Sequence, residues 1–117
     1  MRLLNFLDEQ DKRQQKLNKN YNHSLEGRLT RMYHRMRSRG SKELSFSREE
    51  FIEHGKKSQK LQNLFSAWKQ SGYKYGKTPT VDRKDYQKGY TLSNIQFLSF
   101  DENRKKQSKE YDEDSTK

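Results

Sequence analysis

Cysteine is absent from this chain, proline occurs once, and hydrophobic residues make up only 27% of it. Without cysteine there are no disulfide staples and no thiolate zinc sites, which suits a cytoplasmic protein. No apolar run approaches the length of a membrane span. An anionic membrane surface is therefore a weaker partner than a soluble polyanion. The opening Met1-Arg2-Leu3-Leu4-Asn5-Phe6-Leu7 is too short for a signal-peptide core and meets Asp8-Glu9 at once. It reads as a small sticky patch or a helix start. Acids are also scarce beside bases: 16 Asp and Glu face 26 Lys and Arg, for a formal net charge of +10. A polyanion is the natural partner of such a chain, and nucleic acid is the commonest one.

What is present bounds the fold. At 117 residues the chain makes one domain. With 36% of residues charged, the core must be small and must rely on the seven Tyr, six Phe and one Trp. Residues 1–24 are almost wholly polar and read as an arm or a solvated helix. Residues 25–109 read as a single basic domain, helical over 25–72. Residues 110–117 turn acidic and read as a flexible tail.

From Leu25 the pattern sharpens. Leu25, Leu29, Met32, Tyr33 and Met36 recur at three- and four-residue spacing and predict one helical face, with Ser24 as its cap and Gly27 weakening its first turn. Arg28, Arg31 and Arg35 fall on a flank beside that face. With Arg37, Arg39 and Lys42 they form a run without an acid, a pattern suited either to a solvated face or to phosphates. Ser47-Arg48-Glu49-Glu50 is a capping box that opens a short helix ending at Gly55. Leu61, Leu64, Phe65 and Trp68 mark a further helix ending near Ser71-Gly72. Trp68 and Phe65 have the right chemistry to stack on bases, but a lone Trp on an apolar face more often fills a core.

After the basic, aromatic loop at residues 73–78 the period changes. Pro79 suits the start of a strand, Thr80 to Asp82 alternates, and Gly89 marks a turn. Asn94 to Ser99 alternates again, with Ile95 and Phe97 on one face. Ser99-Phe100-Asp101-Glu102 is a second capping box, so a helix begins near Phe100 with Asn103 in its first turns. Two strands and a helix in this order, over 79–109, can bring Asp82 and Asn103 side by side. An acid and an amide carbonyl that converge in a basic protein suit a divalent cation beside a phosphate. Taken singly, Asp82 and Asp85 also read as turn caps paired with Arg83 or Lys84, and Asn94 as a turn residue.

Asp82-Arg83-x-Asp85, Lys88-Gly89-Tyr90-Thr91-Leu92-x-Asn94-Ile95-Gln96 and Glu102-Asn103 together resemble the signature of small phage-encoded HNH endonuclease-like proteins. Leu29-x-x-Met32-Tyr33 and Trp68-x-x-Ser71-Gly72-Tyr73 resemble the companion region of that group. The resemblance implies an α+β protein: N-terminal helices packed beside a C-terminal ββα-metal unit, in a bacterial host cytoplasm. It implies Asp82 and Asn103 as metal ligands, for Mg²⁺ first and Mn²⁺ second. It also implies that Asn94 braces the loop by hydrogen bonds. One position departs from the pattern. The general-base His of the family is Arg83 here, and a guanidinium does not give up its proton near neutral pH. Arg83 is suited instead to clamping a phosphate oxygen or to stabilising developing charge. Asp85 is the nearest alternative base, and His34 and His54 are remote in sequence.

The expected activity is therefore metal-dependent hydrolysis of DNA, with RNA as the other candidate. Asp82, Arg83, Asp85 and Asn94 form the catalytic set. Arg28, Arg31, Arg35, Lys74, Lys77, Arg83, Arg104 and Lys105 are the expected phosphate contacts. Two other classes stay open. One is a nucleic-acid-binding module that kept the fold and lost the chemistry. The other is a basic factor that docks on an acidic host protein.

Overall fold

The period-3.6 patterns become helices and the alternating segments become strands, in the expected order. A computed structural model describes residues 12, 13, 16, 20–39 and 44–115. Most of the polar segment before residue 20 lies outside them, so its arm-or-helix reading does too. The elements are α1 (Leu25–Arg39), α2 (Arg48–Lys56), α3 (Gln59–Gln70), a 3₁₀ turn (Tyr75–Lys77), β1 (Pro79–Arg83), β2 (Ile95–Ser99) and α4 (Phe100–Ser115). The fold is α+β: helices around one two-stranded antiparallel sheet. Among the described residues, no helix is long and apolar enough to cross a membrane.

Each helix starts where a side chain can satisfy a free N–H. Ser24 Oγ accepts from the Gly27 N–H at 3.0 Å. Ser47 and Glu50 close a reciprocal capping box at 3.1 and 3.0 Å. Ser58 Oγ accepts from the Leu61 N–H at 3.1 Å, and Ser99 with Glu102 closes the second box at 3.1 Å in both directions. Two glycines are required by packing. A Cβ on Gly27 would stand 1.9 Å from the Tyr21 carbonyl oxygen, so what reads as a weak first turn is a close backbone approach. A Cβ on Gly55 would stand 2.5 Å from Leu29 Cδ2. Gly55 therefore does not stop α2, which runs on to Lys56. It lets α1 and α2 meet.

The core lies between the three N-terminal helices and one face of the sheet. Leu29, Met32, Met36, Phe46, Phe51, Leu61, Ile95 and Phe97 are among its buried members. Phe51 and Phe97 join the helices to β2 with ring centroids 6.0 Å apart. Each such side chain contributes about 1.5–3 kcal/mol on burial. Trp68 is 4% exposed, but it lies outside this cluster. It packs edge-on against His23 and Tyr73 at 5.3 and 4.9 Å.

The sheet register is Thr80↔Leu98, Val81↔Phe97, Asp82↔Gln96 and Arg83↔Ile95. Alternation sends Val81 toward the core, where Phe97 and Ile95 also lie. Thr80 and Asp82 take the other face, which α4 covers. The acidic tail departs from expectation. Instead of a flexible segment from residue 110, α4 continues through Ser115. Glu110 stands one turn after Lys106 and pairs with its ammonium, which ties this stretch to the helix.

Candidate functional site

The seam where β1 meets α4 carries both expected metal ligands, Asp82 on the strand and Asn103 on the helix. Asp82 and Asn103 are each only 9% exposed. They are held by different partners. Asp82 Oδ2 accepts from Gln96 Nε2 at 3.0 Å and pairs with Lys106 Nζ at 3.1 Å. Lys106 Nζ also donates to the Arg83 carbonyl at 3.1 Å and to Glu110 Oε1. Asn103, one helical turn before Lys106, donates from Nδ2 to Thr80 Oγ1 at 3.0 Å. Its Oδ1 accepts from Gln107 Nε2 at 3.0 Å. The strand–helix seam thus brings both residues onto one layer, with the lysine ammonium seated among oxygens at Asp82. Burial by itself would lower the Lys106 pKa. Its hydrogen bonds to Glu110 and Asp82, and their charges, outweigh burial and raise it.

The loop between the strands is pinned by Asn94. Its Oδ1 accepts from the Asp85 N–H at 3.0 Å, and its Nδ2 donates to the Asp85 and Gly89 carbonyls at 3.1 and 2.9 Å. These bonds tie the loop after β1 to the start of β2. Asp85 is occupied locally, with its carboxylate accepting from the Gln87 N–H at 3.0 Å. Arg83 stands with its guanidinium 5.1 Å from the Tyr90 ring centroid, a cation–π contact. His34 is exposed on α1. His54 lies on α2 beside Phe97, with ring centroids 6.3 Å apart.

Beside the seam runs a groove of about 990 Å³ between α1 and the β1–α4 unit. Arg28, Arg31, Arg35 and Arg39 line one wall, and Thr80, Asn103, Arg104 and Gln107 line the other. The spacing of the arginines along α1 puts them on one stripe. Among the described residues, no carboxylate pairs with Arg28, Arg31, Arg35 or Arg39, whereas Arg104 reaches Asp101 at 3.8 Å. Arg28 Nε donates to the Pro79 carbonyl at 3.3 Å, a neutral acceptor that leaves its charge unbalanced. Burial, and then the like charges of Arg31 and Arg35, push the Arg28 guanidinium down to about 10. Among the described residues, then, Arg28 is a half-buried cation crowded by like charges and bonded to a neutral carbonyl.

Of the expected phosphate contacts, the fold gathers Arg28, Arg31, Arg35 and Arg104 in this groove. It leaves Lys74, Lys77 and Lys105 exposed outside its lining, and Arg83 at Tyr90. The sequence assigns no site role to Lys106, Gln96, Thr80, Tyr73 or His23, which the fold places at the seam or the groove. Lys106 was the most legible of these, because Lys106 and Glu110 sit four apart on a helix that follows an acid-bearing strand. No local pattern reveals that α1 and α4 face each other across a groove. Among the described residues, no cluster of three or more His, Asp or Glu gathers as a metal cage. Comparison of the chain with family models, curated proteins and solved structures returned no significant match.

Proposed function

We propose that the chain is a DNA-binding protein of the HNH-like endonuclease type, acting by metal-dependent hydrolysis of phosphodiester bonds. The observation that carries this reading is the position of Asn103. It lines the arginine groove, and it bonds Thr80 on the strand that holds Asp82. A phosphate drawn into the groove by Arg28, Arg31 and Arg35 therefore arrives at the strand–helix seam.

The donor set suits a hard cation. Asp82 offers a carboxylate and Asn103 an amide oxygen, both oxygen ligands of the kind Mg²⁺ or Mn²⁺ accepts while keeping most of its waters. Asp82 and Asn103 would hold such an ion with a single carboxylate, so its binding would be weak without substrate. A bound cation supplies Lewis-acid stabilisation of the phosphate oxygens and an activated water. The protein's own groups do the rest. The groove arginines neutralise and orient the backbone. Asn94 fixes the loop that follows Asp82. Lys106 must give up Asp82 Oδ2 for that oxygen to serve as a ligand, and an incoming phosphate offers the ammonium a replacement anion.

The test is conversion of supercoiled plasmid with Mg²⁺ or Mn²⁺, beside a chelator control and Asn103→Ala. The proposal expects metal-dependent nicking or cutting that the substitution abolishes. Salt-sensitive DNA binding with no cleavage under any metal would leave a second reading in place. That reading is a nucleic-acid-binding module of the same ββα type without the chemistry. The Lys106–Asp82 ion pair and the arginine at position 83 favour it.

A further inference from the structure

We propose that the groove receives an unpaired nucleic-acid strand, with its phosphates on the α1 arginines and its bases on an aromatic wall built around Tyr73. The inference rests on the nucleic-acid reading above and specifies the substrate class of that site. A groove of about 990 Å³ lies at the top of the roughly 300–1,000 Å³ range of sites that engulf a small ligand. It has room for a few nucleotides of one strand. A duplex presents phosphates outward and hides its base faces in the stack. Aromatic lining is of use only to bases that are unstacked.

Several contacts fix that lining in place. Tyr73 stacks on His23 with centroids 3.8 Å apart and an interplanar angle of 11°. Trp68 closes the cluster edge-on, and the Arg28 guanidinium stands 5.9 Å from the Trp68 ring centroid. Tyr73 holds a left-handed backbone at φ 64°, directly after Gly72 at φ 78°. In a tyrosine that conformation is strained. The strain is answered by one backbone bond, Tyr73 N–H to the Trp68 carbonyl at 2.9 Å, and by the placement of the ring on the groove wall. Trp68 Nε1 is buried without a hydrogen-bond partner among the described residues, an unused donor on the same wall. Tyr75, 73% exposed, stands at the rim against Phe100 with centroids 4.5 Å apart and offers a further stacking face.

The experiment is fluorescence anisotropy of the full chain with a labelled oligonucleotide of about twelve residues, long enough to cover an ordinary single-strand site. It is offered as single-stranded DNA, as RNA of the same sequence and as DNA duplex. The strand of either sugar should bind at least about tenfold tighter than the duplex, and the RNA arm tells which sugar the groove prefers. Tyr73→Leu should weaken the single strand about tenfold, the loss of roughly one stacked base, and leave the duplex within about twofold. Tyr75→Ala, at an exposed position that spares the fold, should weaken the single strand about threefold in the same selective way. Circular dichroism checks that each variant is folded. A duplex that binds as tightly as the strand overturns the inference, as do substitutions that weaken strand and duplex alike. Salt-sensitive binding that favours the duplex sinks only this inference, whereas no binding to any of the three at low salt sinks the nucleic-acid reading beneath it.

Discussion

The two sides of α4 treat charge in opposite ways. On one side Lys106, Glu110 and Asp82 balance each other inside the seam, and Gln96 completes the carboxylate's hydrogen bonding. On the other, Arg104 faces the α1 arginines across a groove whose cations are crowded together, with the seam residue Asn103 at its edge. The seam uses its charges to hold the helix to the strand. The groove keeps Arg28 charged although burial and like charges both work against it. The difference separates charges balanced within the fold from charges left crowded at a groove, which the proposed function assigns to a phosphate backbone. It also says that substitutions on the two sides should move different observables.

The largest effect is expected in the seam. Lys106→Met leaves the Asp82 carboxylate buried without its cation and should lower unfolding free energy by about 3 kcal/mol, the low end for breaking a buried pair. Urea denaturation followed by circular dichroism measures it. DNA affinity should fall only by the loss of one distant charge. A variant as stable as wild type would erase the distinction between the two sides.

In the groove the pattern should invert. Arg28→Met, Arg31→Ala and Arg35→Ala together should weaken DNA binding about 100-fold at moderate salt. They should also flatten the slope of log affinity against log salt by about 0.9 for each phosphate left without its arginine. Stability should hold or rise, because the triple variant removes repulsion. Binding unchanged by the triple variant would mean that the groove is not the interface.

Alkaline titration draws the same contrast. The Lys106 pKa is raised in the fold, so its contribution is complete below the ordinary lysine value and is lost as pH rises through the folded value. Arg28 is pushed down to about 10, so its charge is penalised below that pH and fades above it. DNA binding should therefore start to fall near pH 10, before the seam's stability does. Anisotropy and thermal melts from about pH 8 to 11 record both, and the stability loss should be missing from Lys106→Met. A fold that fails before binding would reverse the assignment.

The smallest effect belongs to the shared start of α4. The Ser99 backbone N–H, chiefly, holds the Glu102 carboxyl below its ordinary value against burial, with help from the Ser99 hydroxyl and Lys60. That stability is present above the ordinary glutamate value and is lost as pH falls through the lowered one. Glu102→Gln keeps the capping box and should cost under about 1 kcal/mol at neutral pH. Thermal melts should show its acid sensitivity reduced relative to wild type.

Local chemistry made much of this fold readable in advance. Ser47 with Glu50, and Ser99 with Glu102, announce helix starts because a free N–H must find an acceptor. Pro79 and the alternation after it announce the strands. Asn94 is legible as a brace because its amide both donates and accepts across a tight turn. What escaped was tertiary. Gly27 and Gly55 look like helix weaknesses until the backbone and side chain that crowd them are known. Trp68 is buried as its apolar face suggests, but in a cluster beside the groove and not in the main core. Residues 110–115 look like an acidic tail until Glu110 is seen to hold Lys106. Asp82 and Asn103 were placed on one seam by the order of strands and helix. The spacing of Lys106 and Glu110 is visible in the sequence, but the contact of Lys106 with Asp82 depends on how α4 packs on β1.

Plasmid cleavage and DNA binding, measured side by side on Asp82→Ala and wild type with Mg²⁺ or Mn²⁺ present, test the proposed function most directly. Asp82 lies outside the arginine groove and carries no phosphate-binding cation. The variant should bind DNA within about twofold of wild type and should not cut. A variant that cuts at the wild-type rate would contradict the placement of the chemistry at the β1–α4 seam.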